Sequence, residues 1–345
     1  MKKIGIIFGG CSPEYEISLE SAYSVISNIN KEKYEIILIG ITKDGDWYKY
    51  EGDAENIKNN TWKEKGKCTK VVISSSKNDK GIIEIKEEGT KLTKLDLIFP
   101  VLHGKNGEDG TVQGLIELSG IPLIGCDLLS SGLCMDKYVS HKLVESYGIK
   151  VAKNITIDKN TTKEEIKNKV KELKYPLFIK PMRAGSSFGI TKIEKETELE
   201  PAIKEAFKYD TEIIIEENID GIEVGCAVLG NEELIVGEVD EISLSEGFFN
   251  YTEKYTLKTS QIYCPARINK KISEDIKETA KKIYKILKCK DFARVDMFLT
   301  KENEIYFNEI NTIPGFTSHS RYPNMMKQIG IEFNELIQKL IDMKI

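Results

Sequence analysis

Short apolar runs and amphipathic stretches alternate along the chain. Lys3 to Phe8 is an apolar run closed by Gly9-Gly10, and Ile17 to Ile26 has apolar residues at helical spacing, so the chain opens as strand, glycine turn and helix. Tyr34 to Ile41 and Leu95 to Leu102 predict a second and a third strand, with Asn59 to Gly66 and Ser74 to Lys80 as polar surface loops. Ile121 to Gly125 predicts a further strand. A helix from Ser130 to about Tyr147 carries the chain out of its first domain. Beyond it the pattern predicts a helix over Thr162 to Leu173, a strand over Tyr175 to Pro181, an apolar run from Ile213, and a strand from Val224 to Leu229. The last of these turns at Gly230-Asn231 into Leu234 to Val239. Ser245 to Gln261 is long, polar and interleaved with aromatics, which predicts a lid. A helix over Ser273 to Leu287 precedes two alternating runs, Arg294 to Leu299 and Ile305 to Asn311, flanking a polar tip. They predict a β-hairpin, and a last helix spans Phe333 to Met343.

Composition narrows the class. The 345 residues suit two or three domains, and 40% hydrophobic with 30% charged residues is the balance of an ordinary globular protein. The 50 basic and 55 acidic residues are spread evenly, leaving neither a basic tail for nucleic acid nor a polybasic cluster for a membrane. Small molecules are the expected partners. The seven cysteines never come closer than eight residues, which excludes a local C-x-x-C motif. The apolar run after Met1-Lys2-Lys3 is too short for a signal peptide, and no later segment approaches ~18 apolar residues. A reducing, cytoplasmic location is the expectation.

Chemistry concentrates in four places. In the hairpin, Asp296, Glu309 and Asn311 offer hard oxygen ligands only, a set for Mg²⁺ rather than zinc, although acids at strand ends are also commonly just solvated. His103 to Gly114 is rich in glycine and precedes a helix. It reads as a backbone cradle for an anion or as a plain connector. Lys180 ends a strand and is followed by Gly185-Ser186-Ser187-Phe-Gly189, a way to hold a polyphosphate, or else a turn with a surface lysine. Glu216 and Glu223 close consecutive elements and can meet ribose hydroxyls, an adenine amine, or only water. Neither a Walker A loop nor a dinucleotide G-x-G-x-x-G is present, which rejects a nicotinamide site.

Seven spaced motifs together resemble the D-alanine:D-alanine ligase family of the ATP-grasp superfamily, over essentially the whole chain. They are Gly9-Gly-x-Ser-x-Glu14-x-Glu-x-Ser18, His103-Gly-x-x-Gly-Glu-Asp-Gly110, Met135-Asp-Lys137, Lys180-Pro-x-Arg-x-Gly-Ser186-Ser187-x-Gly189, Glu253-Lys-Tyr255, Arg294-x-Asp296, and Glu309-x-Asn311-Thr-x-Pro-Gly315-x-Thr-Ser-His-Ser320. The resemblance implies an α/β and α+β fold: a Rossmann-like α/β domain over residues 1–130, then an ATP-grasp fold of two α+β subdomains, 131–211 and 212–345, with a lid at 240–262. It implies that Lys137, Lys180, Ser187, Glu216, Glu223 and Lys254 bind ATP, and that Asp296, Glu309 and Asn311 hold two Mg²⁺ ions, for which Mn²⁺ can substitute. Glu14 matches the carboxylate that holds the first substrate's ammonium, in a triad with Ser186 and Tyr255, and His103 is placed beside that substrate. Arg294 and the Gly315 N–H match an oxyanion site, and Ser320 matches the second substrate's carboxylate contact. The implied reaction forms a D-alanyl phosphate that a second D-amino acid attacks, and the implied assembly is a homodimer.

One position departs from that pattern. Arg321 stands where the D-alanine-adding enzymes carry an aliphatic residue. With Asp240, Phe249 and an intact Lys254-Tyr255 pair, it resembles the D-alanine:D-serine ligases of VanG-type vancomycin resistance. D-Alanine and D-serine are therefore the expected substrates. A housekeeping D-alanine:D-alanine ligase with Arg321 facing solvent is the alternative, and a catalytically dead nucleotide-binding module is the rival from another class.

Overall fold

The computed structural model describes residues 1–244 and 260–345. The first sheet is built from β1 (Lys2–Gly9), β2 (Tyr34–Ile41), β3 (Trp47–Glu51), β4 (Lys67–Ile73), β5 (Gly81–Lys86), β6 (Gly89–Lys94) and β7 (Leu97–Pro100), in the order β6-β5-β4-β3-β2-β1-β7. β1 pairs in parallel with β2 and β7. From Ile4 onward β1 is wholly buried, as expected of a parallel strand covered on both faces.

Four strands, β3 to β6, escaped the pattern reading because they form an antiparallel extension with mixed polar and apolar positions; β6 is exposed along most of its length. The predicted loop at Asn59 to Gly66 is corrected too. It holds a one-turn helix, Trp62–Lys65, that drives Trp62 to 1% exposure. The indole sits edge-on to Phe8 and Tyr50, at 5.2 and 5.9 Å between centroids, and donates to Tyr15 Oη at 3.0 Å. Gly40 makes room for it, since a Cβ there would meet the indole at 2.6 Å. Ile121 to Gly125 is not a strand but a single bridge, Ile98 to Leu123. The helix predicted from Ser130 to Tyr147 is two helices, Leu128–Met135 and Lys137–Ser146. Asp136 breaks them and caps the second by accepting from Val139 N–H.

β8 (Lys150–Val151) leaves toward a later sheet. β9 (Asn154–Asp158), β10 (Leu177–Pro181), β11 (Thr191–Ile193) and β12 (Glu212–Glu217) make the second, in the order β11-β10-β12-β9. Helices Lys163–Val170 and Leu199–Ala206 pack on it, the former started by a Thr162/Glu165 capping box. The third sheet comprises β13 (Gly221–Gly230), β14 (Leu234–Val236), β15 (Asp240–Leu244), β16 (Ser260–Tyr263), β17 (Phe292–Thr300) and β18 (Ile305–Asn311). Its order is β16-β15-β13-β17-β18-β8, with β14 on β13. The ends of the predicted lid are thus paired strands rather than loop, Glu241 opposite Tyr263.

The chain end returns to its beginning. Helices Arg321–Lys327 and Phe333–Asp342 bury Tyr322, Leu336 and Leu340 in the same core as Ile4 and Phe8. Phe292 and Phe316 bridge to Phe99 of β7 at 6.4 and 5.9 Å. Trp62→Ala is expected to destabilise the protein by about 3–5 kcal/mol, read from the denaturant midpoint, because it removes a large buried ring and the donor to Tyr15.

Candidate active site

The glycine turn after β1 aims Glu14 at the second sheet's loop. Gly9 N–H donates to Ser18 Oγ at 2.8 Å, fixing the turn, and Ser12 Oγ donates to the His103 carbonyl at 2.6 Å. Glu14 is 6% exposed and accepts from Ser186 Oγ. Two glycines enclose its carboxylate: a Cβ at Gly104 would meet Oε2 at 2.4 Å, and one at Gly185 at 2.7 Å. Ser186 and Ser187 lie in the left-handed region, at φ 48° and 60°, uncommon for residues other than glycine.

Behind Glu14, the glycine-rich segment grips the loop that follows the hairpin. Glu108 accepts from Gly104 N–H at 2.8 Å and from Ile313 N–H at 3.1 Å, 205 residues away. His103 Nδ1 lies 3.0 Å from the Ile313 carbonyl, and its Nε2 lies 3.2 Å from Ser21 Oγ, which also accepts from Phe316 N–H. The N–H and the C=O of Ile313 are thus both held, and Gly315 lies between two anchored residues. Both His103 nitrogens are engaged, so its imidazole braces the loop. Burial pushes His103 down to about 4, and burial together with Glu14 pushes Glu108 up to about 8. Glu108 lay inside a quoted motif, but nothing in the sequence showed that it would reach residue 313.

A cavity of about 360 Å³ opens between the second and third sheets, lined by Phe178, Lys180, Ser187, Glu216, Glu223 and Glu309 among others. Lys180 Nζ lies 2.6 Å from Glu216 Oε2, both nearly buried. Burial alone would raise the Glu216 carboxyl, but Lys180 and His141 outweigh it and hold it below the ordinary range. Lys137 Nζ donates to the Ala184 carbonyl at 2.8 Å, beside a narrower cleft lined by Glu309 and Asn311.

The hairpin forms as predicted, with Asp296 opposite Glu309, Arg294 opposite Asn311, and an irregularity after Asp296. Alternation puts all four side chains on one face. Asp296, 1% exposed, accepts from Arg294 Nε and Nη2 at 2.8 and 2.7 Å and from Asn311 Nδ2 at 2.9 Å. Three oxygen-bearing side chains on one face fit a hard cation. Among the described residues no cluster of three His, Cys, Asp or Glu side chains gathers as a metal cage.

Arg321 does not face solvent. Its guanidinium grips Asp240 with two bonds, Nε to Oδ2 at 2.8 Å and Nη2 to Oδ1 at 2.7 Å, and Nη1 reaches Glu223 at 3.3 Å and Asp296 at 3.4 Å. Burial opposes the charge, but Asp240, Asp296 and Glu223 outweigh it and hold the group protonated. Gly225, between Asp240 and Asp296 in the ladder, provides the seat: a Cβ there would lie 2.3 Å from Arg321 Nη2. Ser320 Oγ accepts from Thr317 N–H at 3.1 Å and lies against Gly315. Phe249, Lys254 and Tyr255 lie outside the described residues.

A mixed N-terminal sheet followed by two sheets that face each other across a charged cavity, with a carboxylate hairpin on one wall, is the ATP-grasp arrangement. Family models for the D-Ala-D-Ala ligase N-terminus and C-terminus match residues 3–126 and 143–342. The chain belongs to the D-alanine–D-alanine ligase family of carbon–nitrogen ligases. It is 58% identical to the VanG D-Ala:D-Ser ligase of Enterococcus faecalis, with a TM-score of 0.93 over 100% of this chain and 99% of that one. It is 46% identical to a D-alanine–D-alanine ligase of Caldicellulosiruptor bescii, over 99% of this chain and 95% of the relative. The vancomycin C-type resistance protein VanC1 of Enterococcus gallinarum is 45% identical, over 99% and 98%. No helix among the described residues is long and apolar enough to cross a membrane.

The buried imidazole predicts an acid-side loss of stability. Between pH 6.5 and about 4 the unfolded chain binds a proton at His103 that the folded chain refuses, so stability falls as pH drops through that window. Its slope share is at most about 1.4 kcal/mol per pH unit. Urea titrations from pH 7 to 4.5 on the protein and on His103→Gln should show a shallower decline in the variant.

Proposed function

We propose that this ligase joins D-alanine to D-serine at the expense of ATP, making a dipeptide for peptidoglycan precursors of the kind associated with vancomycin resistance. The observation that carries the choice of D-serine is the buried Arg321–Asp240 pair. An aliphatic residue makes a pocket for a methyl group, whereas a guanidinium and a carboxylate held side by side offer partners to a hydroxyl. The similarity to a ligase named for D-serine supports the same reading. The D-alanine-adding alternative needed Arg321 in solvent, and its side chain is only 9% exposed.

In this reading the nucleotide occupies the cavity between the sheets. Lys180, Lys137 and Ser187 face its phosphates, and Glu216 and Glu223 meet its base and ribose. Lys254 belongs to the same set. Asp296, Glu309 and Asn311 hold two Mg²⁺ ions, whose charge when bound offsets that of the phosphates. Glu14, fixed by Ser186 and with Tyr255 as the third member of the triad, binds the first D-alanine's ammonium and leaves its carboxylate free to attack the γ-phosphoryl group. The products of that step are ADP and a D-alanyl phosphate. The amine of the second amino acid then attacks the carbonyl carbon. The peptide bond forms, the carbon–oxygen bond to phosphate breaks, and the proton lost by the amine leaves with the phosphate. Arg294 and the Gly315 N–H face the oxyanion of that intermediate, with His103 and Glu108 fixing the loop that carries Gly315. Ser320 takes the second substrate's carboxylate, while Arg321, Asp240 and Phe249 meet its side chain. The same reading takes the active form as a homodimer in the cytoplasm.

A competition assay with equal D-serine and D-alanine, resolved by mass of the dipeptide products, should return mainly D-alanyl-D-serine. Arg321→Leu should lower the serine-to-alanine product ratio by about tenfold or more. Equal or greater D-alanine incorporation by the unaltered enzyme would refute the assignment.

A further inference from the structure

The loop that brings Ser186 to Glu14 runs between two anchored segments. On its near side the Met182 N–H donates to the Glu212 carbonyl at 3.0 Å, and the Met182 and Ala184 carbonyls accept from the Lys137 N–H at 3.4 Å and its ammonium at 2.8 Å. On its far side the Phe188 ring lies against Tyr209, 6.1 Å between centroids. Gly189 passes so close that a Cβ there would meet the Tyr209 ring at 2.5 Å. Between these anchors Ser186 and Ser187 keep a positive φ, a conformation that persists only where the surroundings impose it.

Arg183 stands at the centre of the near anchor. Its N–H donates to Asp210 Oδ2 at 2.8 Å and its Nη2 to Asp210 Oδ1 at 3.0 Å, so the carboxylate next to Tyr209 holds backbone and side chain together. The same guanidinium lies 2.7 Å from Glu212 and donates through Nη1 to Asp136 Oδ2 at 3.2 Å. Asp210 and Glu212 lie at the entry to β12, whereas Asp136 lies at the break between the helices Leu128–Met135 and Lys137–Ser146. Arg183 therefore joins the second sheet to the residue beside Lys137. Its side chain is 37% exposed, so these ion pairs contribute little stability in water. What a planar fork shared among three carboxylates fixes is direction.

We propose that Arg183 is a positioning residue for phosphoryl transfer. By tying the start of the serine loop to Asp136 it sets Ser186 in register with Lys137, and so aligns the first D-alanine's carboxylate with the γ-phosphoryl group. It acts through those two residues, and the proposal rests on the reading that Lys137 faces the phosphates and Glu14 holds that amino acid. Small misplacements of reacting groups are costly in rate even when binding survives.

Steady-state ADP release by the intact protein with Mg²⁺, D-alanine and D-serine tests this. Arg183→Met, which keeps the stem and loses the fork, should lower kcat by about tenfold or more. The KM for D-serine as second substrate should stay within about twofold, because Arg321 is anchored on the third sheet, whereas general loosening of the fold would raise it. Asp136→Asn keeps a good helix cap but removes the charge that faces Arg183, and it should also lower kcat. The double variant should be no slower than Arg183→Met alone. An unchanged kcat in variants that fold by circular dichroism, or losses that add in the double variant, overturns the proposal. Asp136→Asn carries the test if Arg183→Met does not fold. Glu14→Gln and Lys137→Ala should be nearly inactive in the same assay, and normal turnover by them overturns the reading of the site itself, whatever Arg183 shows.

Discussion

The charges on the inner face of the third sheet constrain everything around them. Asp240, Glu223 and Asp296 lie within reach of the two guanidiniums of Arg294 and Arg321, and Asp240 and Asp296 are each only 1% exposed. Burying such groups singly costs several kcal/mol each, so they persist only as a mutually satisfied set. That requirement explains Gly225, which leaves the ladder open where the guanidinium of Arg321 must lie. It also explains why Arg321 opens a helix directly after Ser320, where the chain turns back onto β13. A network of this kind is poor at producing stability and good at fixing positions, which is what the site of a carbon–nitrogen ligase needs.

A second constraint joins distant parts of the chain. Glu14 comes from the N-terminal turn and Ser186 from the second sheet, while the Ile313 to Phe316 loop leaves the third. No sheet positions all three. Contacts between buried and half-buried groups do so: Glu14 with Ser186, Glu108 and His103 with the backbone of Ile313, Ser21 with Phe316. Behind them the aromatic stack from Phe99 through Phe292 and Phe316 to Tyr322 makes the junction a packed core rather than a wet interface.

Much of this was legible in the chain's pattern. β1, β2 and the β17–β18 hairpin follow from apolar runs, and the oxygen-only donor set of Asp296, Glu309 and Asn311 follows from residue chemistry. The motifs named the family. β3 to β6 were not legible, because strands whose outer faces meet solvent carry polar residues at loop-like density. The break at Asp136 was missed because helical sequence lies on both sides of it, although Asp favours an N-cap over a helix interior.

The sequence alone determined which groups the site contains, since residue type decides charge, donor capacity and metal preference before any folding. Tertiary structure decided what those groups face. Nothing local distinguishes an Arg321 in water from one clamped by Asp240, because the clamp comes from a residue 81 positions away. Nothing local shows that Glu108 reaches Ile313, or that His141 comes to lie 3.5 Å from Glu216. Burial and partner are properties of the closed chain, and they turn a list of polar residues into a site.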